Sequence, residues 1–285
     1  MISPGAFSTV MAGLVAGLLA AGPAAAQESN NASTVATRSL GPIAAAHACG
    51  APTALMRLSQ PLPRFAQRLA KHQPITIVAI GSSSTSGAGA SSPAASYPSR
   101  LAIELRTRFP NDSITVINRG VNGEEIRDML ARFADGVVKA RPDLVLWQVG
   151  TNSVLRDHPL AIMNPAIVDG VRQLRAIGAD VVMIDPQYTP RYIAKATAAE
   201  MVQQIAAAAK QANVDLFERY AVMRYWHDAE HMEFGEFTAP DQLHMNDWSY
   251  GCLAKLIAGS IGEAATRTMA SAQAAVPAAA TTTTH

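Results

Sequence analysis

Ser83 stands in the small-residue run GSSSTSG that takes over from the apolar segment ITIVAIG, and Asp241 and His244 stand with two residues between them in APDQLHMNDW, late in the chain. A serine hydroxyl is a poor nucleophile until a base takes its proton during attack. Imidazole, with an unperturbed pKa of about 6.5, accepts that proton near neutral pH and later returns it to a leaving group. A carboxylate completes the set. It holds the ring in the tautomer that turns a bare nitrogen to the serine, and it steadies the imidazolium that forms. Ser83 is the expected nucleophile, His244 the general base and Asp241 the orienting acid.

Such chemistry also needs donors aimed at the oxyanion of the tetrahedral intermediate, each worth roughly 3 kcal/mol of transition-state stabilisation. The Ser83 N–H is one. SITVINRG reads as a strand ending at Gly120, where the absent side chain lets the backbone N–H face a substrate. DLVLWQVGTN reads as a second buried strand that delivers the Asn152 amide just beyond its end. In that strand Trp147 is expected in the core. Gln148 is unusual on a buried strand and reads either as a hydrogen bond organising the floor of the site or as plain structural satisfaction. Gln187 and Tyr188, in DPQYTP, are expected on the cleft rim, in reach of substrate.

Four blocks now stand in order: Gly81, Ser82, Ser83, Ser84, Thr85 and Gly87; Gly120; Asn152 in GTNS; and Asp241 with His244. Over roughly residues 74–265 the chain resembles the SGNH hydrolases, the GDSL-type esterases and lipases. The resemblance implies a three-layer α/β/α, flavodoxin-like fold with a five-stranded parallel sheet in the order 2-1-3-4-5. It also implies serine ester hydrolysis without a cofactor or metal, on acetylated sugars, short acyl esters, lysophospholipids or thioesters. The chain departs from the family twice: Ser82 replaces the aspartate of the GDSL block, and Ser153 replaces the acid that follows the third-block asparagine. Neither position moves a proton, so the departures bear on the hydrogen bonding around the nucleophile turn, and through it on substrate preference and rate.

The elements that must bring these residues together alternate. Apolar runs recur near 75–81, 114–119, 144–149, 180–185 and 213–217, separated by amphipathic stretches at 97–109, 124–140, 164–178 and 194–212, with a last helix over 249–259. Short strands alternating with helices imply right-handed βαβ units and a parallel sheet covered on both faces. Ligands bind beyond the carboxyl ends of such strands, where Ser83, Gly120 and Asn152 all fall.

Composition agrees with one compact domain: 285 residues, 49% hydrophobic and 16% charged. A net charge of +1, without a Lys/Arg cluster, gives no case for nucleic acid and favours a small-molecule, carbohydrate or lipid ester as partner. Nothing in the residues specifies an oligomer. Residues 1–26 read as a cleaved export signal, with an apolar core from Val10 to Ala21, a break at Gly22 and Pro23 and small residues at Ala24 and Ala26. The Ala and Gly content and Pro23 argue against an uncleaved membrane anchor. The expected layout is a signal over 1–26, a linker and N-terminal arm over 27–73, the hydrolase domain over 74–266 and a disordered tail over 267–285. Export to the periplasm or beyond makes the two cysteines, Cys49 and Cys252, a candidate disulfide, with two separate buried thiols as the alternative.

Other chemistries compete for some of these residues. GSSSTSGAG could cradle a phosphate but lacks the lysine of a P-loop. His227, Glu230 and His231 match the H-x-x-E-H pattern of inverted zinc proteases, yet acids able to supply a third ligand are few. Acyl transfer to a sugar hydroxyl uses the same residues as hydrolysis. A noncatalytic envelope-binding module would need no serine, histidine and acid together.

Overall fold

The computed structural model describes residues 47–274. Strands β1 (Ile75–Gly81), β2 (Ile114–Gly120), β3 (Leu144–Gln148), β4 (Asp180–Ile184) and β5 (Asp215–Phe217) pair in parallel in the order β2-β1-β3-β4-β5. This is the flavodoxin-like order that the motifs implied. The sheet carries helices α1 (Pro63–Ala70), α2 (Tyr97–Arg108), α3 (Ile126–Ala131), α4 (Met163–Ala176), α5 (Ala198–Gln211), α6 (Arg219–Asp228) and α7 (Asp247–Ala274), with shorter helical turns between them.

Side chains alternate across each strand, so both sheet faces must be covered. Ile75, Ile77 and Ala79 of β1 face a layer formed by α1, α2, α6 and α7, where Phe65, Leu101, Trp226 and Leu253 are buried. Val78 and Ile80 face the opposite layer, formed by α3, α4 and α5. In α4 the buried residues Ile167, Val171 and Leu174 recur at helical spacing and form the stripe that meets the sheet. Full burial of each such side chain contributes about 1.5–3 kcal/mol.

Three expectations need correction. The stretch 124–140 is not one helix: α3 ends at Ala131, and two short turns, Phe133–Gly136 and Val138–Ala140, follow. Arg132 leaves helical geometry (φ −111°), and its guanidinium turns back to the Arg119 carbonyl at 2.8 Å and to Glu124. Second, the described part of the arm, residues 47–73, is bonded to the sheet. Arg64 and Phe65 N–H donate to Asp180, Ser59 and Gln60 N–H donate to Asp215, and the Arg64 and Arg68 side chains bond Asp143, so acids at the amino ends of β3, β4 and β5 hold it. Third, α7 continues to Ala274, eight residues past the limit expected for the domain, and buries Ala264 and Ala265 on the way.

Cys49 and Cys252 form a disulfide that ties the arm to α7. The expected signal over 1–26, the linker part of the expected arm, 27–46, and the last part of the expected tail, 275–285, lie outside the described residues. Among the described residues no helix is long and apolar enough to cross a membrane.

Candidate active site

β1 ends at Gly81, and the chain turns at once into the helical turn Ser83–Ser86 at the carboxyl edge of the sheet, where the strand order reverses. Two glycines make this turn fit. A Cβ on Gly81 would lie 2.2 Å from Thr85 Oγ1, and one on Gly120 would lie 2.1 Å from the Ser86 nitrogen, because β2 ends directly against the turn.

Ser83 Oγ lies 2.8 Å from His244 Nε2, and His244 Nδ1 lies 2.5 Å from Asp241 Oδ2. The two-residue spacing of the last block has a local cause. Asp241 Oδ1 accepts the backbone N–H groups of Leu243 and His244, at 3.0 and 2.9 Å, so one oxygen folds the loop and the other holds the ring. Burial works to raise the Asp241 carboxyl, but the hydrogen bonds from the His244 backbone, the His244 ring and Leu243 outweigh it and hold the group at about 2. The carboxylate is therefore ionised throughout the neutral range. An alcohol, a base and a fixed acid in this sequence of contacts can move a proton from hydroxyl to imidazole.

The expected oxyanion donors surround the same turn. The Ser83 N–H opens it, among the amides that a helical turn leaves without an intrahelical carbonyl. Asn152 Nδ2 donates one hydrogen to the Glu124 carbonyl at 2.8 Å, which fixes the amide and leaves its second hydrogen. Gly120 departs from the sequence reading. Its N–H is donated to Asn118 Oδ1 at 2.9 Å and does not stand open, and the missing side chain serves the packing of β2 under the turn.

Both departures from the family motifs have partners. The Ser82 backbone N–H and hydroxyl both donate to Gln148 Oε1, at 2.8 and 3.0 Å, and Thr85 Oγ1 adds a third bond at 3.3 Å. Gln148 thus organises the floor beneath the nucleophile turn. Ser153 Oγ donates to Glu125, whose carboxylate also binds Arg156 and His158, so an acid from the β2–α3 loop stands beside the position where the family carries its own.

Gln187 is not on a rim. It is fully buried, and its Nε2 donates to the Leu243 carbonyl at 3.1 Å, so it braces the loop that carries His244. Tyr188 is half-buried, edge-on to Tyr220 at 5.1 Å and beside Phe234 at 5.9 Å. His227 and His231 share no helix face: α6 ends at Asp228, His227 bonds the Met232 carbonyl at 2.8 Å, and His231 takes a left-handed φ of 55°. Arg219, fully buried and bonded to Ser84 and Gln187, gives no signal in the sequence, because nothing in FERYAVM distinguishes it from an exposed arginine on an amphipathic helix.

Residues 48–267 match the non-GDSL lipase-like family. The chain belongs to that family. Membership places it in the SGNH hydrolase superfamily, as its four motif blocks implied. Similar curated proteins include an acetylxylan esterase of Geobacillus stearothermophilus, 35% identical over 60 residues (21% of this chain, 27% of that protein). An arylesterase of Vibrio mimicus is 31% identical over 97 residues (34% of this chain, 48% of that protein). The chain thus spans about a quarter to a half of these relatives. Among solved structures, a two-domain esterase active on acetylated mannans has a TM-score of 0.64 at 20% identity, covering 75% of this chain and 57% of that one. An acetyl-xylooligosaccharide esterase from Geobacillus has a TM-score of 0.56 at 20% identity, covering 66% and 94%. These structural likenesses are of fold.

Proposed function

We propose that this family member is an exported serine ester hydrolase that removes O-acyl groups from carbohydrates through an acyl-enzyme. The observation that carries the reading is the 2.8 Å approach of His244 Nε2 to Ser83 Oγ, with Asp241 behind the ring. Ser83 Oγ attacks the ester carbonyl carbon while its proton passes to His244 Nε2, and Asp241 stabilises the imidazolium. The Ser83 N–H and the second Asn152 hydrogen bind the oxyanion. The C–O bond to the leaving alcohol breaks as His244 returns the proton to it. A water that gives its proton to His244 then attacks the acyl carbon, the bond from that carbon to Ser83 Oγ breaks, and His244 returns the proton to Oγ as the carboxylic acid leaves.

The carbohydrate preference draws its support from the acetylxylan esterase and from the esterase active on acetylated mannans. Export is supported by the character of residues 1–26 and by the Cys49–Cys252 disulfide, a bond that persists in oxidising compartments. The test is acetate release from acetylated xylan and mannan oligosaccharides by purified protein. Release that disappears in Ser83→Ala supports the reading; release no faster than in that variant overturns the carbohydrate assignment.

A further inference from the structure

Arg219, the first residue of α6, has no place in the steps above, yet it is fully buried beneath them. Its Nη1 donates to Ser84 Oγ at 2.9 Å and its Nη2 donates to Gln187 Oε1 at 3.1 Å. Ser84 follows Ser83 in the turn, and Gln187 holds the carbonyl of Leu243, which precedes His244. One guanidinium therefore bonds the strand-end turn that carries the hydroxyl directly and is linked through Gln187 to the distant loop that carries the imidazole.

Packing does not account for it. Burial disfavours the charged guanidinium, with Asp185 acting in the opposite direction, and Nε has no hydrogen-bond partner among the described residues. A methionine would fill similar space without desolvating a cation. What a methionine lacks is a planar fork that donates to two acceptors at once, and a lysine lacks it too. Asp185, at the end of β4, accepts the Tyr220 N–H at 2.9 Å and so anchors the start of the helix from which the fork projects.

We propose that Arg219 is a positioning residue: it clamps the Ser83 turn to the His244 loop through Ser84 and Gln187, and so sets the separation of Ser83 Oγ and His244 Nε2. The role rests on the hydrolase reading above. Arg219 touches neither the ester nor the reacting atoms.

The test compares wild type, Arg219→Lys and Gln187→Glu by kcat and KM on 4-nitrophenyl acetate, by the rate of fluorophosphonate labelling and by the thermal midpoint. Gln187→Glu keeps an acceptor for Arg219 and turns a carboxylate oxygen in place of the donor toward the Leu243 carbonyl, so it opens the loop side of the clamp and carries the test alone if Arg219→Lys does not fold. Loosening the clamp should lower kcat and the labelling rate together by about 10- to 100-fold, as a misplacement on the order of 1 Å does. KM should stay within about threefold, since ground-state binding is untouched. Folded variants with wild-type kcat, or with only a raised KM or a lowered thermal midpoint, overturn the role. Wild-type protein that is not labelled at Ser83 overturns the hydrolase reading itself, and the role with it; labelled wild type with unaffected variants overturns Arg219 alone.

Discussion

Asp241 holds His244 with both carboxylate oxygens: Oδ1 accepts the His244 backbone N–H at 2.9 Å, and Oδ2 lies 2.5 Å from ring Nδ1. Asp241→Asn keeps an oxygen for the backbone amides, so the loop should still fold, but the side-chain NH2 then competes for the wrong ring tautomer. Loss of kcat by about 10³- to 10⁴-fold with little change in KM is expected. Steady-state kinetics on an activated acetyl ester provide the check. Because the carboxyl is held at about 2, protonation of Asp241 should not set the acid limb of activity above about pH 3.

Gly120 is fixed by sterics. Gly120→Ala would bring a methyl group to 2.1 Å from the Ser86 nitrogen, which is backbone and not a flexible side chain. The turn bearing Ser83 must then move or β2 must separate from it. A stability loss of about 3 kcal/mol, together with loss of activity, is expected from urea unfolding and rate measurements on the same preparation.

How much of this was legible in the sequence follows from the kind of interaction involved. The strands were, because β1 and β3 are short apolar runs that end in turn residues, and the first and last motif blocks hold the residues that the fold brings into contact, Ser83 with His244 and Asp241. Gln148 gave a signal because an amide on a buried strand demands a partner. Gln187 was misread because PQYTP follows a strand and reads as a surface loop, whereas the pairing that buries it is with Leu243, 56 residues away. The arm was placed outside the domain for a similar reason: its backbone is satisfied by Asp180 and Asp215, which no local pattern links to it. The break after α3 depends on Arg132 reaching strand-end carbonyls, again a contact that periodicity does not encode.

The Cys49–Cys252 bond closes a sequence separation of 203 residues. In the chain-entropy description a loop of that length contributes roughly 5 kcal/mol through the unfolded state. The double variant Cys49→Ser/Cys252→Ser should lose several kcal/mol in urea unfolding while its kcat per folded molecule stays close to wild type. Equal midpoints with and without the disulfide would contradict a stabilising role.

Asp185 makes stability depend on pH. Burial raises its carboxyl from 3.8 to about 7, against the opposing hydrogen bond from Tyr220 and the charge of Arg219. The folded chain then holds this proton more tightly than the unfolded chain. The corresponding stabilisation is complete below about pH 4 and is lost as pH rises through 7. Urea unfolding of wild type should weaken between pH 5 and 8 more steeply than that of Asp185→Asn. Parallel profiles would contradict the assignment.

Activation of the Ser83 hydroxyl by His244 can be read by covalent labelling. Folded protein treated with a fluorophosphonate should gain one adduct per chain, located at Ser83 by peptide mass analysis, and His244→Ala should label slower by orders of magnitude. An adduct elsewhere, or no adduct on folded protein, would contradict a hydroxyl activated by His244.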